Sequence, residues 1–449
     1  MVQAVLIDGE CIERLLGERP LPVEHVMAPS ILVDGRFHTA GCHWLRRKSM
    51  VRPVHSTLVA HARRLANYIG FLRNDRGLDH PDERFADLFA ATEDDVFAFY
   101  RARQFHAETA VSSAAWRAQL STIKQAHEFL RATYDVPIPF RVVTFINPAG
   151  YASTTAPELR ARTRTGSRGN PITPGYAELL VQGALRIDQH GHQSNARTVD
   201  RDAAAVSLAL GSGIRHGTLT NITTYEIPPV VATPFTTMRI PDFITKGDAG
   251  GEAWIFSHRL KLVHAYINGA RAELIADGRP YRPESPIQLD DADEDRWTAT
   301  VDGTRRSVRW AETTDEVRRR LVNPDGSTPI LLLNSYTPDP LSYDQVGTIT
   351  ATARDWTRLH LAPDFPARFR THDLRHTYAT HLTVCLFKGA VADYVHPDFV
   401  QAYAPTAITD AVEMAKQSLG HASEASTRLY TMHASKFLHV PLEHFIGEP

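Results

Sequence analysis

Near its C-terminal end the chain carries Thr371-His372-Asp373-Leu374-Arg375-His376-Thr377, then Leu419-Gly420-His421, then Tyr430. On a helix, His372 and Arg375 would share one face, because residues three apart are neighbours there. Tyr430 is the ninth residue after His421, along His421-Ala-Ser-Glu-Ala-Ser-Thr-Arg-Leu-Tyr430. These residue types suit attack on a phosphodiester. Cationic and hydrogen-bonding groups would hold the phosphate, and a phenol would attack it. A phenol is mostly protonated at neutral pH, so it would need a nearby base or a cationic surround.

Two earlier stretches each place a cation beside glycines. In Ala209-Leu210-Gly211-Ser212-Gly213-Ile214-Arg215 the glycines allow a sharp turn that starts a new helix with Arg215 at its mouth. Alone, the same stretch reads as a glycine-rich helix end followed by a surface arginine. Lys246 lies in the turn Ile244-Thr245-Lys246-Gly247-Asp248, between the β-type runs around Met238 and Trp254-Ile255-Phe256. His372 and His376, four apart, invite a metal reading. No HExxH glutamate and no cysteine cluster accompanies them, so no metal is expected.

The elements that would position these residues can be read from periodicity. Thr371 is expected to cap a helix whose first turn holds His372 and Asp373, where free backbone N–H groups favour an anion. Leu374, Tyr378 and Leu382 would form its buried stripe. A helix is expected at about 198–210, ending at Gly211-Ser212-Gly213, with short β segments at about 225–257. Thr173 and Pro174 read as cap and first residue of another helix. Trp297–Val301, Asp302-Gly303 and Thr304–Trp310 read as a hairpin on a type I′ turn. Ile330–Leu333 reads as a short buried strand, and Asp290–Asp295 as a solvated acidic loop.

Farther upstream, Leu58, Ala62, Leu65, Ile69 and Leu72 recur at helical spacing, as do Trp116, Leu120, Ile123, Ala126, His127 and Leu130. Residues 51–140 are therefore expected to be a helical module, preceded by an extension of unknown role at 1–50 that prolines interrupt. Residues 141–171 lose periodicity and read as a basic linker. Residues 172–449 form the remaining domain, with an insertion at about 282–325.

The 449 residues allow two or three domains, and 43% hydrophobic content without a long apolar run argues against a membrane span. Three scattered cysteines and a start without a signal pattern point to the cytoplasm. A formal net charge of −2 does not advertise nucleic-acid binding, so any such role must rest on local basic patches. Candidates are Arg63, Arg64, Arg160, Arg162, Arg164 and Arg168.

The order and spacing of HDLRHT, LGH and the tyrosine nine residues on resemble the tyrosine recombinase (phage integrase) family of site-specific recombinases used by mobile genetic elements. The resemblance implies a mainly α fold with a small β-sheet. A helical, SAM-like core-binding domain would precede an α/β catalytic domain, the two forming a C-shaped clamp on double-stranded DNA. It implies Arg215, Lys246, His372, Arg375, His421 and Tyr430 as catalytic residues, and strand exchange through a 3′-phosphotyrosyl link without cofactor or metal. A homotetramer would act on paired DNA sites, with a monomer or dimer off DNA. The apolar tail after Tyr430 would dock on a neighbouring subunit or on its own core. The family usually has an acid three residues after its first arginine; here Thr218 stands there. A type IB topoisomerase, or a catalytically impaired DNA-binding protein of the same fold, are the alternatives.

Overall fold

A computed structural model describes residues 2–5, 28–51, 55–78, 86–146, 152–161, 169–188, 190–242, 244, 250–388, 411–412, 414–415, 418 and 432–447. The chain divides into two compact units, Met1–Gly166 and Ser167–Pro449. Among the described residues no helix is long and apolar enough to cross a membrane.

The first unit joins a small antiparallel sheet, β1 (Val2–Val5), β2 (Ser30–Val33) and β3 (Arg36–Phe37), to five helices. These are α1 (Thr39–Val51), α2 (His55–Asn74), α3 (Ala86–Ala90), α4 (Glu93–Phe105) and α5 (Ser113–Tyr134). The periodic residues of α2 and α5 do face inward: Leu65, Ile69, Leu72, Trp116 and Ile123 are fully buried. Local chemistry sets the helix ends. Thr92 and Asp95 form a capping box on α4, and the Ser112 side chain accepts from Ala115 N on α5.

This unit is larger at both ends than the sequence suggests. Ile31, Ala40, Trp44 and Leu45 belong to the same core as α2, so residues from about 30 onward are not an extension. The run Arg46-Arg47-Lys48 interrupts the apolar pattern of α1 and conceals it. The expected linker also contains folded elements where it is described. Strands β4 (Val143–Ile146) and β5 (Ala152–Thr155) form a hairpin, and Leu159 is buried, its carbonyl accepting from Trp116 Nε1 at 2.8 Å.

The second unit is built around α7 (Val199–Ser212), which is buried along nearly its whole length and has eight residues without a polar side-chain atom among its last twelve. Before it comes α6 (Pro174–Glu178), capped by Thr173 as expected and continuing as a π-helical turn, Leu179–Ala184. The four-residue α8 (His216–Leu219) follows α7. Strands β6 (Phe235–Ile240) and β7 (Gly251–Phe256) pair antiparallel from Phe235↔Phe256 to Ile240↔Gly251. Helices α9 (Ser257–Asn268) and α10 (Ala270–Ala276) come next.

The insertion has its own core of Leu289, Trp297, Ala299, Trp310 and Leu321. It contains β8 (Ile287–Gln288), β9 (Asp291–Ala292), β10 (Arg296–Val301), β11 (Thr304–Arg309), α11 (Asp315–Arg318) and β12 (Leu321–Val322). The β10–β11 turn has positive φ at both Asp302 (51°) and Gly303 (73°), as a type I′ turn requires. The acidic run is not a free loop. Asp291 lies in β9, Asp293 accepts from the backbone N–H groups of Asp295 and Arg296, and Asp295 pairs with Arg239 at 2.7 Å.

Ile330–Leu333 is fully buried but makes only isolated bridges, Thr223↔Ile330 and Leu333↔Pro340. Arginines take the carbonyls a sheet would have used: Arg271 donates to Ile330 O and Leu331 O, and Arg201 to Leu333 O.

Helices α12 (Tyr343–His360) and α13 (Thr371–Phe387) complete the unit with a short α14 (Glu443–Ile446). Phe437 and Phe445 of the tail pack into one core with Tyr378, Leu382 and Cys385 of α13. The described tail therefore docks on its own unit.

Candidate active site

The N-terminal turn of α13 presents the first two site residues. Arg370, not Thr371, is its capping position, and the Asp373 carboxylate accepts from Arg370 N at 2.8 Å and from Asn170 N at 3.0 Å. Thr371 is the first helical residue, hydrogen-bonded to Thr350 on α12. An aspartate at the third position can satisfy the free donors of a helix start, which leaves the threonine available for packing. Leu374, Tyr378 and Leu382 form the buried stripe as expected.

Arg375 is buried and donates from Nη1 to the carbonyl of Gly213 at 2.5 Å. Gly213 is the left-handed cap of α7, with φ of 62°. A Cβ there would lie 2.2 Å from the Tyr378 ring, so only glycine fits both the conformation and the approach. Two residues on, half-buried Arg215 occupies the capping position of α8. The glycine turn thus connects the two arginines: one grips its backbone, the other emerges from it.

His372 lies in the same neighbourhood. Burial lowers its pKa first, and the positive charges of Arg375 and Arg215 lower it further against the opposing effect of Asp373. Its imidazole is therefore neutral at pH 7, with one nitrogen to donate and one to accept. The His376 ring stands perpendicular to it, centroids 4.7 Å apart. Burial and the charges of His372, His433 and Arg375 push His376 down to about 4.

Three predicted residues, Arg215, His372 and Arg375, are thus brought together. Lys246, His421 and Tyr430 lie outside the described residues, as do Arg162, Arg164 and Arg168. Described neighbours in sequence do reach this region. Ile244 is buried, with its carbonyl accepting from Thr218 Oγ1 at 3.2 Å. Ser418 Oγ accepts from Trp254 N at 3.0 Å and hydrogen-bonds the Tyr378 hydroxyl at 3.2 Å. His433, buried, is felt electrostatically by His376. Arg63 and Arg160 of the first unit are exposed and Arg64 is half-buried.

The sequence reading treated His376 only as a possible metal ligand and passed over His433 and the Thr218–Ile244 bond. The histidines had a signal, each close to a motif residue. The Thr218 bond had none, because it joins positions 26 apart through a main-chain carbonyl. Among the described residues no group of three or more His, Cys, Asp or Glu side chains could hold a metal ion.

No family model matches the chain, and no curated protein matches it in sequence. Comparison with solved structures finds, among others, the XerH site-specific recombinase bound to difH substrate in a pre-cleavage complex. That match has a TM-score of 0.45 and 10% identity, and covers 88% of this chain and 85% of that one. The Tn1549 transposon integrase in complex with transposon right-end DNA matches with a TM-score of 0.43 and 14% identity, covering 87% and 96%.

Proposed function

We propose that this protein is a site-specific DNA recombinase or integrase of the tyrosine type, cleaving and rejoining duplex DNA through a 3′-phosphotyrosyl link on Tyr430. The observation that carries this reading is the meeting of Arg215, Arg375 and His372. They come from two distant stretches that the sequence had singled out separately, and they share one electrostatic neighbourhood.

In the cleavage step the Tyr430 oxygen bonds to phosphorus and the bond to the 5′ oxygen breaks. Arg215 and Arg375 pair with the non-bridging oxygens, where negative charge builds in the transition state. Neutral His372 hydrogen-bonds the phosphate or takes the phenol proton, with His421 assisting. Lys246 protonates the departing 5′ oxygen. One phosphoester replaces another of similar energy, so neither ATP nor a metal is called for. Two rounds on paired duplexes pass through a Holliday junction, in a homotetramer assembled from monomers or dimers. Arg63, Arg64, Arg160, Arg162, Arg164 and Arg168 contact the DNA backbone.

A nicked duplex that traps the covalent intermediate tests this. Wild type should form the adduct, and Tyr430→Phe should bind the same DNA and form none. An adduct from Tyr430→Phe at the wild-type level would overturn the assignment. DNA binding by wild type without any adduct would instead favour an impaired DNA-binding protein, the reading that Thr218 keeps open.

A further inference from the structure

The departure at Thr218 has a structural role that its position in the sequence does not reveal. Thr218 is fully buried in the short helix α8, and its hydroxyl donates to the carbonyl of Ile244. Ile244 is itself buried and stands two residues before Lys246 in the β6–β7 connection. An ionised acid at 218, where the family resemblance leads one to expect an acid, could not donate to a carbonyl. This threonine therefore makes a bond that a carboxylate cannot make.

The segment carrying Thr218 is held unusually firmly, and the insertion holds it. Arg319 donates from Nε to Asn221 Oδ1 at 3.0 Å and from Nη2 to Thr220 O at 3.2 Å. Arg318 donates to Asn221 O at 3.2 Å and grips Glu226 with two bonds of 2.6 and 2.9 Å. The insertion also reaches the β6–β7 hairpin directly, through Asp295 and Arg239. A planar guanidinium with its donors engaged on several acceptors fixes backbone position better than apolar contact does.

We propose that Thr218 is a positioning residue for Lys246, tying the lysine-bearing connection to the Arg215 helix, with the 282–325 insertion as the buttress behind it. The proposal rests on the function proposed above. In the cleavage step the electron pair of the broken P–O bond stays on the 5′ oxygen, which takes its proton from Lys246. A mislaid lysine slows that proton transfer and leaves DNA binding unaffected.

The test replaces the bridging 5′ oxygen of a nicked duplex by sulfur. A thiol ionises near pH 8.5, far below an alcohol, so a thiolate leaves without being protonated. Thr218→Val should cleave the oxygen substrate about 10- to 100-fold more slowly than wild type, part of the 10²–10⁴-fold that general acid catalysis typically supplies. It should cleave the sulfur substrate at the wild-type rate, as Lys246→Ala should, with unchanged DNA affinity. Thr218→Ser, which keeps the donor, should stay near wild type on both. Where valine does not fold, Thr218→Ala is read the same way. Equal slowing on oxygen and sulfur, or an oxygen rate within about twofold of wild type, would overturn the positioning role. No adduct from wild type on either substrate would overturn the underlying functional reading and this role with it.

Discussion

The two units differ in their arginines: both expose some, and among the described residues only the second buries any. In the first, Arg46, Arg47, Arg63, Arg117, Arg131 and Arg160 are exposed. In the second, Arg201, Arg259, Arg271, Arg318 and Arg375 are all less than 10% exposed. Most of these are fastened to carbonyls or carboxylates: Arg271 to the carbonyls of Thr328, Ile330 and Leu331, Arg259 to Glu178, Arg318 to Glu226. Counting basic residues therefore says little about where a polyanion would bind. The formal net charge of −2 counts buried, engaged cations such as Arg271 and Arg318 together with exposed ones of both units, such as Arg63 and Arg305.

The sharpest break of this comparison is Arg318→Met. Removing one partner of a buried, bidentate pair leaves Glu226 without its counter-charge and should cost about 3–5 kcal/mol of stability. Chemical denaturation that shows a loss under 1 kcal/mol, on the scale of an exposed pair, would mean that the insertion is merely attached. Arg375→Ala is next. It should lower single-turnover cleavage about 10²–10³-fold, as the loss of one transition-state donor does, with a smaller change in DNA affinity. Parallel losses in affinity and cleavage would assign Arg375 to the architecture alone.

Acid should affect both units alike. Burial lowers His127 in the first unit and His381 in the second to about 4. The unfolded chain then binds protons that the folded chain refuses. Stability contributed by each neutral histidine is present above pH 6.5, falls as pH drops from there to about 4, and levels off below. Each contribution is on the order of 3 kcal/mol. A melting temperature that stays flat across that window would contradict the burial of these rings. The smallest effects belong to the outer arginines. Arg63→Ala and Arg160→Ala should change stability by less than about 0.5 kcal/mol. Each should flatten the slope of log affinity against log salt by about 0.9, if it touches a phosphate. An unchanged slope would make them solvated bystanders.

Much of this was legible beforehand, for physical reasons. α2 and α5 announce themselves because a helix against a core needs apolar residues every three or four positions. Thr173-Pro174 and Asp302-Gly303 are local chemistry, and local chemistry reads directly from sequence. What failed involved partners distant in the chain. Ile330–Leu333 has strand composition, yet its carbonyls are claimed by arginines about 60 and 130 residues earlier, so no ladder forms. Asp290–Asp295 is solvated as its composition says, but Asp291 and Ala292 form a strand and Arg239 gives Asp295 a fixed place. Thr371 lost the capping position to its neighbour because Asp373 does that work from within the helix. Of the site, the arginines and His372 came from their motifs, whereas the link from Thr218 to Ile244 belongs to the folded chain alone.

Gly213 answers to three demands at once: it ends α7 in a left-handed turn, offers its carbonyl to Arg375, and leaves no room between its backbone and Tyr378. In a library of random variants, position 213 should accept almost nothing by itself. Substitutions there should survive only together with a smaller side chain at 378, and that second change would strip Trp254 O of the hydroxyl that now donates to it. Drift at these sites is therefore linked: a change at one requires adjustment at the next, which confines the lineage to a narrow path of neighbouring sequences.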